Sequence, residues 1–220
     1  MLFSAVHKIF LLSPAHSGGK RAQLLLNPRA PFVLARKLHA GEPVALGEIF
    51  TFLSGLYFRG KLAYARAFAS PPAGRHGAYV ITSNRGLMPA DTEISLAALK
   101  SFSLVDIDAK DARYRRPLLR DAKQIAEQHP EARAVLLGSI STGKYVDVLL
   151  SVFGERLHFP LEFVGRGDMS RGGLMLRCVR ARQELKYAPV AGAIRRGKRP
   201  PKLPASLRRL CDDGFGKQID

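Results

Sequence analysis

Three short apolar runs, each closed by a polar or glycine-containing turn, constrain this chain more than any other feature. KIFLLS (8–13) is stopped by Pro14, AYVITS (78–83) runs into NRGLMPAD, and ARAVLLGSIS (132–141) runs into TGKYVDVLLSVFG. Runs that are apolar on both alternating faces read as strands covered on both sides, the pattern of a sheet packed between helices. Further strands are expected near 104 (LVDID) and 159, with helices between them. The pattern predicts a mixed α/β (α+β) single domain with a central mixed sheet and flanking helices. It is expected to occupy 1–190, with a helical insertion over 31–70 and a basic, flexible tail over 191–220. RRPLLRDAKQIAEQH (115–129) reads as a helix opened by Pro117 near its first turn. ADTE before ISLAAL reads as a helix start with Asp91 or Thr92 as N-cap. LHFPLEFVGRGDMSRGGLMLRCVRA is open between a strand hairpin and a helix start.

Leu46 to Phe68, LGEIFTFLSGLYFRGKLAYARAF, reads as two helical runs around SGLYFRG. A glycine turn between helices leaves N–H groups unpaired, and such groups attract phosphate. On this reading Ser54, Gly55, Arg59, Gly60, Lys61 and Arg66 grip a nucleic-acid backbone as a helix–hairpin–helix. A kinked core helix with a solvated basic edge fits the same residues.

Charge supports a polyanionic partner. Thirty-five Lys and Arg against eighteen Asp and Glu give +17, an excess that self-repels unless a polyanion offsets it. The expected partner is duplex DNA, bound largely without sequence preference, with RNA as a second candidate, because phosphate contacts position and do not specify. IRRGKRPPKLPASLRR (194–209), with seven basic residues and no acid, fits the same use. No run approaches the roughly 20 apolar residues of a membrane span, so the chain is expected to be soluble and cytoplasmic, without a membrane partner. As a DNA-binding protein it is expected to be nucleoid-associated, and it is expected to be a monomer. Cys178 and Cys211 lack metal spacing, so neither a metal, a cofactor nor a disulfide framework is expected.

The strand ends carry the other candidates. AHSGGKRAQLLL resembles a phosphate cradle without Walker spacing, and Ser13, His16 and Lys20 can meet at its mouth. A polar strand–helix corner without a ligand fits equally. Open α/β sheets place ligands where strands leave the sheet, which draws in Arg85, Asp91, Ser141, Lys144 and Tyr145. Further on, Arg166 and Arg171 either aim at phosphate or pair with Asp168. A site for small nucleotides at Gly18–Gly19 and Gly143 is the alternative to a nucleic-acid site.

The order of these motifs resembles the YaaA family of peroxide-stress-resistance proteins. The pieces that carry it are LLSPAH (11–16), ITSNRGLMPAD (81–91), SISTGKYVDVL (139–149) and GRGDMSRG (165–172). His16 stands where that family has lysine, Lys144 where it has glutamate, and SNRG replaces an aromatic turn. The resemblance implies an α/β fold with an inserted helix–hairpin–helix, DNA binding and protection of DNA under oxidative stress.

The stretch 46–68 also resembles the hairpin of helix–hairpin–helix DNA glycosylases, with two extra residues between the glycines. In their bifunctional members a lysine in the place of Lys61 attacks the sugar and an aspartate, here Asp91, assists. The chemistry needs an amine of lowered pKa and a carboxylate facing developing positive charge. Tyr57, Phe58 and Tyr64 are the candidates for stacking on a flipped base. A strand-end site built on Ser13, His16, Arg85, Asp91, Ser141 and Tyr145 is the competing location for catalysis, and binding without catalysis is the third reading.

Overall fold

A computed structural model describes residues 7–198, 200, 201 and 203. Among the described residues six strands form one mixed sheet: β1 (Lys8–Leu12), β2 (Ala78–Ile81), β3 (Leu87–Pro89), β4 (Arg133–Leu137), β5 (Leu157–Pro160) and β6 (Tyr187–Pro189), in the order β3-β2-β1-β4-β5-β6. The inner strands β2, β1, β4 and β5 run parallel, and β3 and β6 add antiparallel edges. Pro89 and Pro189 fall on those edges, where a missing N–H breaks no inner ladder.

Alternation along the strands divides the core into two layers. Phe10, Leu12, Val80, Val135 and Leu137 face one cluster; Ile9, Leu11, Tyr79, Ala134 and Leu136 face the other. The first face is covered by α1 (Lys20–Leu26), α2 (Val33–His39), α3 (Leu46–Ser54), α4 (Leu56–Phe68), α5 (Leu96–Phe102) and α8 (Asp168–Ala181). The second is covered by α6 (Ala112–Gln128) and α7 (Gly143–Phe153). The α/β domain predicted from the apolar runs is the fold observed.

Several local expectations change. LVDID (104–108) is not a strand: it is a turn, in which the Asp108 N–H bonds the Asp106 carbonyl at 3.0 Å and the Lys110 N–H bonds the Asp108 carboxylate at 3.0 Å. Neither Asp91 nor Thr92 caps a helix. The cap of α5 is Ser95, whose hydroxyl accepts from the Ala98 N–H at 3.2 Å, while Asp91 pairs with Arg66 at 2.5 Å. Helix α6 starts before Pro117, at an Asp111 cap whose carboxylate accepts from the Arg113 N–H at 2.9 Å. The segment left open after β5 is a helix, α8, reached through a 3-10 turn at Leu161–Phe163.

The stretch 46–68 is two helices, but the break is a single residue. Gly55 (φ +60°) separates α3 from α4, and Arg21 closes the end of α3 by donating to the Phe52 carbonyl at 3.1 Å. Gly60 lies inside α4 and is buried. A Cβ there would stand 2.7 Å from the Gly172 carbonyl, and one on Gly172 would stand 2.7 Å from the Leu56 carbonyl. The second glycine of SGLYFRG therefore serves a backbone-to-backbone crossing of α4 and α8. This arrangement is closer to the kinked core helix than to an open phosphate-binding hairpin.

Residues 191–198 do not hang free of the domain. Arg195 pairs with Asp147 at 3.2 Å, and the 197–198 backbone lies against Val164 and Gly165. The rest of the expected tail lies largely outside the described residues.

Candidate functional site

From β1 the chain passes to β2 on one side, and later returns from β3 to β4 on the other. The ends of β1 and β4 therefore flank the point at which the winding of the sheet reverses, where open α/β sheets leave a crevice. Ser13 extends β1 by one bond, its N–H donating to the Leu137 carbonyl at 3.2 Å, and Pro14 ends the ladder. Gly138 extends β4. A Cβ on it would stand 2.8 Å from Ser13 Cβ and 2.9 Å from Tyr145 Oη, so the glycine lets the strand ends and α7 close together. The hydroxyls of Ser139 and Ser141 bond each other at 2.8 Å, and the Tyr145 hydroxyl donates to the Ser139 carbonyl at 3.0 Å.

Behind Ser13 lies Lys61, with no exposed surface. Its Nζ donates to the Ser13 carbonyl at 2.7 Å and to Ser13 Oγ at 2.9 Å, and sits 4.3 Å from the ring centroid of Tyr57 and 4.7 Å from that of Phe58. Burial pushes its pKa down to about 7, against the pull of Asp168 and with the help of Arg171. Near neutral pH it is therefore shared between ammonium and amine. The ammonium donates to Ser13 Oγ, whereas the neutral amine can accept from the Ser13 hydroxyl, which is the arrangement of a hydroxyl with its base. Burial also pushes Tyr145 upward despite its bonds to Ser13 and Ser139, so its phenol stays neutral.

In front of Ser13 opens a cavity of about 860 Å³, walled by His16, Ser54, Tyr57, Tyr145 and the acidic side chains Asp106, Asp108 and Asp168, with Lys144 at its edge. That volume falls in the range of small-molecule and cofactor sites. A second cavity, about 320 Å³, is walled by Arg166, Arg171, Arg195 and Arg196 with Ser141, and Ser139 borders both.

The sequence-derived candidates are thus sorted. Ser13, His16, Ser54, Lys144 and Tyr145 meet at the larger cavity, and Ser141, Arg166 and Arg171 at the smaller. Lys61 reaches the site only from behind Ser13, and its ammonium has no path to an external phosphate. Asp91 is paired with Arg66 outside both cavities, so the Lys61–Asp91 pair required by the glycosylase-like chemistry is not assembled. Gly55 is the helix break, and Arg59 is half-buried on α4. Arg85 is exposed on the β2–β3 turn, and Lys20 is exposed at the start of α1. Phe58 and Tyr64 are core residues with no exposed surface, so neither offers an open face for stacking; Tyr57 borders the larger cavity with the ammonium of Lys61 over its ring.

Asp106 and Asp108 do not stand out as site residues in the sequence, because alternating aspartates and aliphatics imitate a strand. The Ser13–Lys61 contact has no local signal: it depends on where α4 crosses α8. Among the described residues no cluster of His, Cys, Asp and Glu is arranged to hold a metal, and no helix is long and apolar enough to cross a membrane. Comparison of the chain with protein-family models, with curated proteins and with solved structures gives no match.

Proposed function

We propose that the protein binds nucleic acid through its basic surface and admits one base, with its sugar, into the cavity at the switch point. The observation that supports this most is the convergence of Ser13, His16, Tyr57 and Tyr145, from three separate chain segments, on one cavity with room for a nucleoside. His16 is exposed at the rim and has a ring able to stack on a base, and the aspartates offer acceptors to base N–H and sugar hydroxyl groups. Ser13 Oγ is the group for proton transfer or nucleophilic work, with Lys61 as the base that holds and deprotonates it. The +17 charge supplies the sequence-independent part of the affinity. The YaaA-like motif order agrees with a role at DNA, with protection of DNA under oxidative stress as its proposed setting.

Fluorescence anisotropy of labelled single-stranded and duplex DNA and of RNA, titrated across salt concentration, tests this reading. Log affinity is expected to fall linearly and steeply with log salt, and affinity that ignores salt would overturn it. Ser13→Ala and His16→Ala are expected to weaken binding of an oligonucleotide carrying an unpaired base while leaving the salt slope unchanged. Borohydride with abasic duplex is expected to trap no adduct at Lys61, since the ammonium is enclosed.

A further inference from the structure

Charge is divided between the two cavities that meet at Ser139. Three aspartates border the larger one, whereas the smaller is bordered by four arginines and no carboxylate. Two of those arginines are engaged: Arg195 pairs with Asp147 at 3.2 Å, and Arg171 approaches Asp168 at 3.5 Å. Arg171 is also fixed in position, because its Nε and Nη2 donate to the Phe163 carbonyl at 3.2 and 2.9 Å. No carboxylate among the described residues pairs with Arg166 or Arg196. Arg166 donates through Nη1 to Ser170 Oγ at 3.3 Å, while its Nε is buried without any partner. A buried donor left without a partner costs free energy.

The backbone points the same way. The wall segments 139–141 and 163–167 lead directly into α7 and α8, and neither Thr142 nor Gly167 caps its helix with a side chain. The leading N–H groups of the two helices therefore stand at the border of an arginine-lined cavity; Asp147 lies beside the start of α7 and Asp168 opens α8, so an incoming anion is drawn mainly by the arginines that no carboxylate pairs with.

We propose that the smaller cavity is a phosphate subsite, holding the phosphate of the nucleotide whose base and sugar occupy the larger one. This rests on the nucleic-acid reading above and gives its ligand a direction: sugar hydroxyls toward the aspartates, phosphate past Ser139 toward Arg166 and Arg196. The phosphate can belong to a mononucleotide or to one link of a strand.

Isothermal titration of the full chain with inorganic phosphate, a nucleoside, its 5′-monophosphate and a dinucleotide tests the assignment, on wild type and on Arg166→Ala and Arg196→Ala. The expected result is a monophosphate or dinucleotide bound at least tenfold more tightly than the nucleoside, with the gain reduced several-fold in each variant and nucleoside affinity unchanged. Arg196 is exposed, so its variant is expected to keep the wild-type melting temperature and guards against misfolding of the other. Preference for the dinucleotide assigns the subsite to a strand; preference for the monophosphate assigns it to free nucleotides. Equal affinity for nucleoside and monophosphate overturns the subsite and leaves the nucleic-acid reading standing. Inorganic phosphate bound through Arg166 with no nucleoside, nucleotide or oligonucleotide bound overturns the nucleotide reading and leaves an anion site alone.

Discussion

Lys61 enters the folded state as a buried amine whose ordinary pKa near 10.5 falls to about 7. Between those values the unfolded chain holds a proton that the folded chain has released, so folding stability rises with pH across the window. Below about 7 both states are protonated, the burial penalty is fully present, and this contribution to the slope vanishes. Urea unfolding at about pH 8 and about pH 9 is expected to show wild type gaining on Lys61→Met by about 1.4 kcal/mol per pH unit. Equal slopes would mean that the ammonium is hydrated after all. Gly86 carries a different residue-level constraint, for it sits at φ +64° and a Cβ there would stand 2.2 Å from Asp121 Oδ2 and 2.5 Å from the Pro117 carbonyl. Asp121 cannot simply withdraw, because it accepts from the Leu87 N–H at 3.1 Å and from Arg120 at 2.6 Å. Gly86→Ala is expected to lower stability by about 2 kcal/mol or more in the same assay.

The crossing of α4 and α8 decides whether the site exists. Tyr57 and Lys61 lie on one helix and Asp168 and Arg171 on the other, and they meet because Gly60 and Gly172 let the two backbones touch. Alanine at either glycine is expected to cost about 1–3 kcal/mol by overpacking and to raise the pKa of Lys61 as the helices part and water enters. Chemical-shift titration of the lysine amine would register the second effect separately from the first. At α5, Ser95→Ala is expected to cost about 1 kcal/mol, whereas Asp91→Ala should cost less, since Asp91 takes part only in an exposed pair with Arg66. These elements also show how far the sequence could be read. The inner strands β1, β2, β4 and β5 announce themselves as apolar runs, and Ser13, His16 and Tyr145 follow from their places beside strand ends. The three-residue edge strands β3 and β6 contain proline and too few residues to display a period, so they stay silent. Gly60 stands out in the sequence, but its use requires Gly172, a partner no local pattern indicates. A glycine that permits a turn and a glycine that permits a helix crossing look alike until the second helix is in place.

At the scale of the whole molecule, the charge of +17 sits on a fold whose described ion pairs are few and mostly exposed. Added polyanion, such as oligonucleotide at low salt, is therefore expected to raise the melting temperature, and salt alone to reproduce part of that rise by screening. The beginning of the basic C-terminal segment belongs to the site, since Arg195 and Arg196 wall the arginine-lined cavity. Ending the chain after Val190 is expected to remove most of the phosphate-dependent affinity while leaving the core intact, and retention of that affinity in a calorimetric titration would count against the second cavity.

The enclosure of Lys61 has one more consequence, a kinetic one. No reagent can touch the amine while α4 lies on the sheet, and in the opened state it reacts as an ordinary hydrated lysine. Exposed lysines will be labelled at once by an acylating reagent, and Lys61 only during the excursions in which this helix lifts away. Its labelling rate, read by peptide mass spectrometry, is thus a clock for the opening of the site, and a ligand seated against Ser13 should slow it.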